Sequence, residues 1–243
     1  MNTPDEVAGT CAPSSNGDQS GRTYGRLRDL IVRGQLAPGS RIIETEVSER
    51  LEVSRTPVRS ALQRLEQEGF VESQNSDSGR SRPMVAPLTK SDAHELMYLL
   101  GSLEGLAARW TARLEDEDRQ EVVDRLRRLN ALMEREEESS TRGNSQFFDI
   151  DAEFHCTFVR AGGGPRLLRL HGSHRPQAER YFRYYVEMQE YSLDRSLAEH
   201  EDMIEAIGTG DPDVAEEAVE RNWRNAETRL ARAIEIAGER GNW

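Results

Sequence analysis

The chain has 243 residues, room for two modest domains, and carries 44 acidic against 32 basic side chains, a net charge of −12. No apolar run approaches the roughly 18 residues that a membrane helix needs, and the first 21 residues lack a charged segment followed by an apolar core, so neither a membrane span nor a secretory signal is expected. Cys11 and Cys156 are far apart, one in a polar tail and one in a helical pattern. They make no disulfide framework, and the expected compartment is the reducing cytoplasm.

A charge of −12 argues against nucleic acid until it is divided along the chain. Residues 22–86 hold 11 Arg against 9 Asp and Glu, whereas residues 87–243 hold 32 acids against 21 bases, and residues 1–21 supply the remaining −3. The acid lies outside one modestly basic segment, which is left as the attractive surface for phosphates.

In chain order, residues 1–21 are rich in Ser, Gly, Asn, Asp and Pro and are expected to be disordered. Tyr24 to Arg33 reads as a helix with Leu27, Leu30 and Ile31 on one face, ended near Gly34. Glu44 to Gly69 reads as two helices and a tight turn. Val47 and Leu51 share a face of the first; Ser54 is placed to N-cap the second, with Pro57 in its first turn. Val58, Leu62 and Leu65 form the second helix's apolar stripe, and Gly69 stops it. Its other face carries Arg55, Thr56, Arg59, Gln63 and Arg64. That pattern suits a helix-turn-helix whose second helix enters the DNA major groove N-terminus first. Two short strands, at Gly69–Ser73 and Arg82–Val85, flank a polar wing with Gly79 and Arg80 near its tip, where an Arg can reach phosphate.

Beyond Thr89 the pattern is helical: a helix from Thr89 or Ser91 to about Leu114, then Asp116–Glu138, Ser145–Ala161, Pro165–Glu190, Ser192–Ile207 and Asp211–Gly238. No run alternates at period two. The expected fold is therefore mostly α: a winged helix-turn-helix at 22–86, then an all-α antiparallel bundle at 89–238, with Val85 to Thr89 as the hinge.

Leu27 to Val71, with its core Val53-Ser-Arg-Thr-Pro-Val-Arg59, resembles the winged-helix domain of GntR-family transcriptional regulators. The later part resembles the FCD ligand-sensing domain of the FadR-like branch. That likeness is carried by Asp151-Ala-Glu-Phe-His155, Phe158, Pro165-Arg-Leu-Leu168 and His200-Glu-Asp-Met-Ile204. It implies a ligand-responsive regulator, a repressor in the commoner case, that binds a palindromic operator as a homodimer through Ser54, Arg55, Thr56, Arg59, Gly79 and Arg80. Its effector would be a small molecule such as an organic acid.

Asp151 and His155 are four apart and share a helix face, and His200 lies on a later helix. The resemblance implies a divalent metal, zinc- or nickel-like, held by Asp151, His155 and His200. The family's third histidine falls at Asn222, a weaker ligand. His94, His171 and His174 read as loop or surface histidines. The family's effector-binding arginine would fall at Leu100 or Gly101, so Arg109, Arg160 and Arg183 are the candidate cations for an effector. Two other readings stand beside this one: a metal-dependent enzyme built on the bundle, and a DNA-binding dimer that senses nothing.

Overall fold

The structure, a computed structural model, describes residues 19–75, 81–138, 145–186 and 193–241. Residues 1–18 of the expected tail, and Gly79 and Arg80 of the expected wing tip, lie outside the described residues. The elements are α1 (Gln19–Val32), α2 (Glu44–Leu51), α3 (Arg55–Gln67), β1 (Val71–Asn75), β2 (Ser81–Val85), α4 (Lys90–Thr111), α5 (Asp116–Glu138), α6 (Ser145–Gly162), α7 (Pro165–Val186), α8 (Leu193–Gly208) and α9 (Pro212–Ala237). They form two compact units: one holds the described residues up to Asp92 together with those from Ile234, the other runs from Ala93 to Ala233.

In the first unit, α1 and α2 pack on α3, and α3 leads into β1. Helix α1 starts at Gln19, five residues before the expected Tyr24, so its first turn takes in residues 19–21 of the expected tail. Helix α2 ends at Glu52, which takes the left-handed conformation (φ 56°, ψ 43°). Ser54 then occupies the N-cap position of α3 with extended backbone, but its hydroxyl makes no capping bond to the helix. Gly69, at φ +77°, turns the chain out of α3. Leu27, Val58, Leu65 and Phe70 are fully enclosed, each contributing on the order of 1.5–3 kcal/mol of apolar burial. Strands β1 and β2 are antiparallel, with Val71 opposite Val85 and Gln74 opposite Arg82.

Two pairings in this unit were not legible in the sequence. Arg41 bridges to Met84, with the Ile42 N–H donating to Pro83 O at 2.8 Å. Leu88 bridges to Arg240 through two backbone bonds of 2.8 and 3.0 Å. Leu88 is also buried. The expected hinge is thus pinned at its centre, because a distant segment satisfies its backbone.

In the second unit, α5 packs on α6 and α8, and α6 on α7, around Leu126, Phe154, Phe158, Tyr181 and Ile204. Thr89 Oγ1 accepts the Asp92 N–H at 3.2 Å ahead of this bundle's first helix. Among the described residues, no helix is long and apolar enough to cross a membrane. Cys156, buried on α6, is disulfide-bonded, which corrects the expectation from the sequence. Separation along the chain does not decide pairing; only the approach of the two Cα atoms does. Cys11 lies outside the described residues.

Candidate functional site

Helix α3 divides cleanly by face. Val58, Ala61, Leu62 and Leu65 are buried, while Ser54, Arg55, Thr56, Arg59, Gln63 and Arg64 are exposed. The exposed set begins at the helix N-terminus, where free backbone N–H groups and the helix dipole favour an anion. Two of its cations are steadied from below: Arg59 Nε donates to Glu44 at 2.7 Å and Arg64 Nε to Glu68 at 2.9 Å. The Arg59 pair is exposed and weak, whereas Arg64 is also stacked over Tyr24, 3.7 Å from its ring centroid.

The second unit encloses a polar cluster. Asp151, His155 and His200 each present a metal-ligating atom, and these atoms all lie within 4.8 Å of one another. Helix α6 supplies the first two, one turn apart, and α8 the third. Behind them Glu104 of α4 is wholly buried. Its carboxylate accepts His155 Nδ1–H at 2.6 Å, His171 Nε2–H at 2.6 Å and Trp223 Nε1–H at 2.9 Å. Burial pushes the Glu104 carboxyl up, but the two imidazoles outweigh it and hold the group well below the usual range. Arg175 of α7 donates Nη2 to Asp151 Oδ2 at 2.6 Å. For Asp151 burial again acts upward, and Arg175 with the His155 and His200 rings reverses it, leaving the carboxyl below its ordinary value. His200 is stacked on Phe154, ring centroids 4.1 Å apart, and is held down to about 3, chiefly by burial, so its ring is neutral at pH 7. Its Nδ1 is buried without a hydrogen-bond partner. The cluster opens on a void of about 30 Å³, also lined by Phe147, Ser196, Asn222 and Arg229, which is room for an ion or a water or two.

The gntR family of bacterial regulatory proteins matches residues 19–78, and the FCD domain matches residues 95–225, more than half of the chain. The chain belongs to the GntR family and carries an FCD domain. Among its relatives, a probable D-xylose utilization operon transcriptional repressor of Paenarthrobacter nicotinovorans is 28% identical over 80% of this chain and 82% of its own. The Uxu operon transcriptional regulator of Escherichia coli is 33% identical over 59% and 58%. Escherichia coli McbR/YncC shares the fold, with a TM-score of 0.70 at 18% identity, covering 89% of this chain and 98% of that one. The chain is therefore a transcriptional regulator with a ligand-binding FCD domain, and not an enzyme.

The FCD donor set fits a divalent ion. Glu104 accepts the Nδ1–H of His155 and so leaves Nε2 as the nitrogen with a free lone pair, the carboxylate–imidazole arrangement typical of metal-bound histidine. His200 is neutral and holds Nε2 3.7 Å from Asp151 Oδ1. One carboxylate and two imidazoles suit zinc, nickel or iron, with coordination positions left open. Asn222 of α9 lines the void, but its Nδ2 donates to Glu199 at 3.3 Å, so it is partly engaged away from the trio.

The expected effector arginines lie elsewhere. Arg109 is paired with Asp213 and Glu216, Arg160 with Glu153, and Arg183 with Asp149 and Glu179. None lines the cavity; Arg175 and Arg229 do. Leu100 is fully buried, and a Cβ on Gly101 would lie 3.1 Å from that of Trp223, so the helix position of the family's arginine is filled by packing. His171, expected at the surface, is fully buried on Glu104. His94 is exposed against Glu227, as expected. The missed residues left one signal: along α7, Leu167, His171, Arg175 and Ala178 recur at helical spacing, so the two polar members sit in an apolar stripe.

Proposed function

We propose that this regulator represses an operon by binding a two-fold-symmetric operator as a homodimer, and releases it when a small organic acid enters the FCD cavity. The exposed Arg55-Thr56 and Arg59 set on the first turns of α3, over a fully buried apolar face, carries the reading. One recognition helix reads only a few base pairs, so paired half-sites must supply the affinity. Gly79 and Arg80 are assigned to assist from the wing. In the cavity, Asp151, His155 and His200 hold a divalent ion, with Asn222 as a weak fourth donor; the bound ion would supply an electrophilic centre for a carboxylate. The repressor role follows that of the D-xylose relative, and the assignment to the FadR-like branch follows the FCD domain. The protein works in the cytoplasm, where its operator is.

A ligand changes operator affinity only by binding the two dimer states unequally. A coupling of about 1–3 kcal/mol corresponds to an affinity change of about 5- to 150-fold. The test is a gel shift on an operator selected from random duplexes, with a single half-site as control. Arg55→Ala and Arg59→Ala each weaken binding, and a base-reading Arg contributes about 1–3 kcal/mol of discrimination. Unchanged affinity and sequence preference in both variants, or equal binding to the single half-site, overturns the reading. If Asp151→Ala and His155→Ala keep full ligand response, the sensing site lies elsewhere; if no ligand acts on the wild type, the protein is a dimer that senses nothing.

A further inference from the structure

The residues that follow α9 belong to the first unit, not to the FCD unit that α9 leaves. Gly238, at φ +78°, turns the chain at the helix end, its N–H bonded to Ile234 O at 2.8 Å. Each of the next three residues meets the first unit. Glu239 Oε1 accepts the Lys90 N–H at 2.8 Å. Arg240 satisfies both the N–H and the C=O of Leu88. Gly241, at φ +76°, lies against Gly39, at φ +73°, so closely that a Cβ on Gly241 would sit 2.5 Å from Gly39 N. Both glycines are needed there, for the left-handed backbone and for the close approach. The Gly39 turn is bonded in its own right to β2: the Gly39 N–H donates to Val85 O and the Val85 N–H to Ser40 O, each at 2.9 Å.

Residues 238–241 thus form a strap over the short segment between β2 and α4. That segment was the expected hinge. The chain passes from the first unit to the FCD unit inside α4, between Asp92 and Ala93, and returns inside α9, between Ala233 and Ile234. Neither crossing is a loop. With the strap engaged, the segment is bonded at Ala86, Leu88 and Lys90. With the strap gone, Leu88 loses both of its backbone bonds to Arg240 and residues 86–89 become a tether. Hydrogen bonds of 2.8–3.0 Å are lost on moving less than about 1 Å, so the strap is either engaged or released.

Stiffness here has a consequence on DNA. A dimer that holds one half-site gains from the second only where its own geometry matches the separation and rotation of the two. A stiff connection concentrates that gain on one spacing, and a slack one spreads a smaller gain over several. Each added base pair moves a half-site by roughly 3.4 Å and turns it by roughly 35°.

We propose that the strap of residues 238–241 determines which half-site spacing the regulator accepts, by holding residues 86–90 stiff. The proposal rests on the reading of the protein as an operator-binding dimer.

The experiment titrates the full chain by gel shift onto the selected operator, onto duplexes with one or two base pairs inserted between the half-sites, and onto a single half-site. The wild type is expected to lose about tenfold or more in affinity at each altered spacing. Gly241→Val, whose Cβ has no room, and a chain ended after Ala237 both release the strap. They are expected to bind the single half-site as the wild type does, to bind the selected operator more weakly, and to discriminate among spacings by less than about threefold. Hydrogen exchange at the Leu88 amide reads the strap independently: slow in the wild type and faster by about tenfold or more in both variants. Ile236→Ala, 63% exposed on α9, is expected to change nothing. A Leu88 amide that exchanges freely in the wild type, or stays protected in the chain ended after Ala237, overturns the proposal. So does a wild type indifferent to spacing, or a variant with a freely exchanging Leu88 amide that keeps the wild-type preference. Should neither variant fold, Glu239→Ala, which removes a single bond, is expected to show the same change in smaller measure, and an unchanged preference in it overturns the proposal. If the wild type binds the single half-site as tightly as the operator, the operator reading itself fails and the proposal falls with it.

Discussion

Removing the Glu104 carboxylate in two ways tests whether it organises the cluster. Glu104→Ala leaves three buried N–H donors, on His155, His171 and Trp223, without their acceptor. At about 1–3 kcal/mol per unsatisfied donor, and with a cavity added, the loss is about 4–8 kcal/mol. Glu104→Gln keeps one oxygen, which can serve the His155 and Trp223 donors that now share Oε2. Its new NH₂ then faces His171, whose Nδ1 is unpaired. Moving the His171 proton from Nε2 to Nδ1 turns Nε2 into an acceptor for that NH₂. The glutamine therefore loses the charge assistance of its bonds and leaves the His171 Nδ1–H without an acceptor, about 2–4 kcal/mol in all. At about 2–4 °C per kcal/mol for a chain of this size, the melting temperature falls by about 5–10 °C for the Gln variant and by about 20 °C for the Ala variant. Melts in chelator, read by circular dichroism and tryptophan fluorescence, give the values, and nitrogen NMR of the imidazoles reads the His171 tautomer. Equal losses in the two variants, or an Ala variant melting within a degree or two of the wild type, would refute the role given to Glu104.

Two further perturbations follow from the geometry. Gly39→Ala combines a left-handed φ of +73° with a Cβ placed 2.4 Å from Gly241 Cα, whereas Gly34→Ala has a similar φ of +69° and open space. The Gly34 variant should lose about 1–2 kcal/mol in urea unfolding, from the backbone term alone, and the Gly39 variant clearly more. Acid should destabilise the FCD domain: His200 stays neutral when folded down to about 3 but takes a proton near pH 6.5 when unfolded, so its contribution is complete above pH 6.5 and is lost as pH falls toward 3. The depressed Asp151 and Glu104 carboxyls act in the same direction, below about pH 4. Unfolding free energies from urea melts at pH 7 and pH 5 should differ by about 2 kcal/mol at most from His200, and His200→Phe should flatten that slope.

Local signals carried much of the architecture. Helix α5 runs from Asp116 to Glu138 as expected, because acids open it and an uninterrupted helical period fills it. Helix α3 was legible through Pro57, the Val58–Leu62–Leu65 stripe and Gly69. Asp151 and His155 were legible as an i,i+4 pair, and only the family resemblance joined His200 to them. Glu104, His171 and Arg175 were not found, because a polar side chain on a buried helix face looks like a surface residue until its partner is placed. Here the partners lie 51 and 67 residues away. The Arg41–Met84 and Leu88–Arg240 bridges were hidden for the same reason: a single bridge leaves no periodic trace in sequence.

The metal content of the full chain, purified without chelator, tests the sensing site most directly. Elemental analysis should find about one divalent ion per chain in the wild type and none in His155→Ala, with both proteins folded and both binding the operator. An equal content in the two, or none in the wild type, would contradict the assignment of Asp151, His155 and His200 as the centre of the FCD cavity.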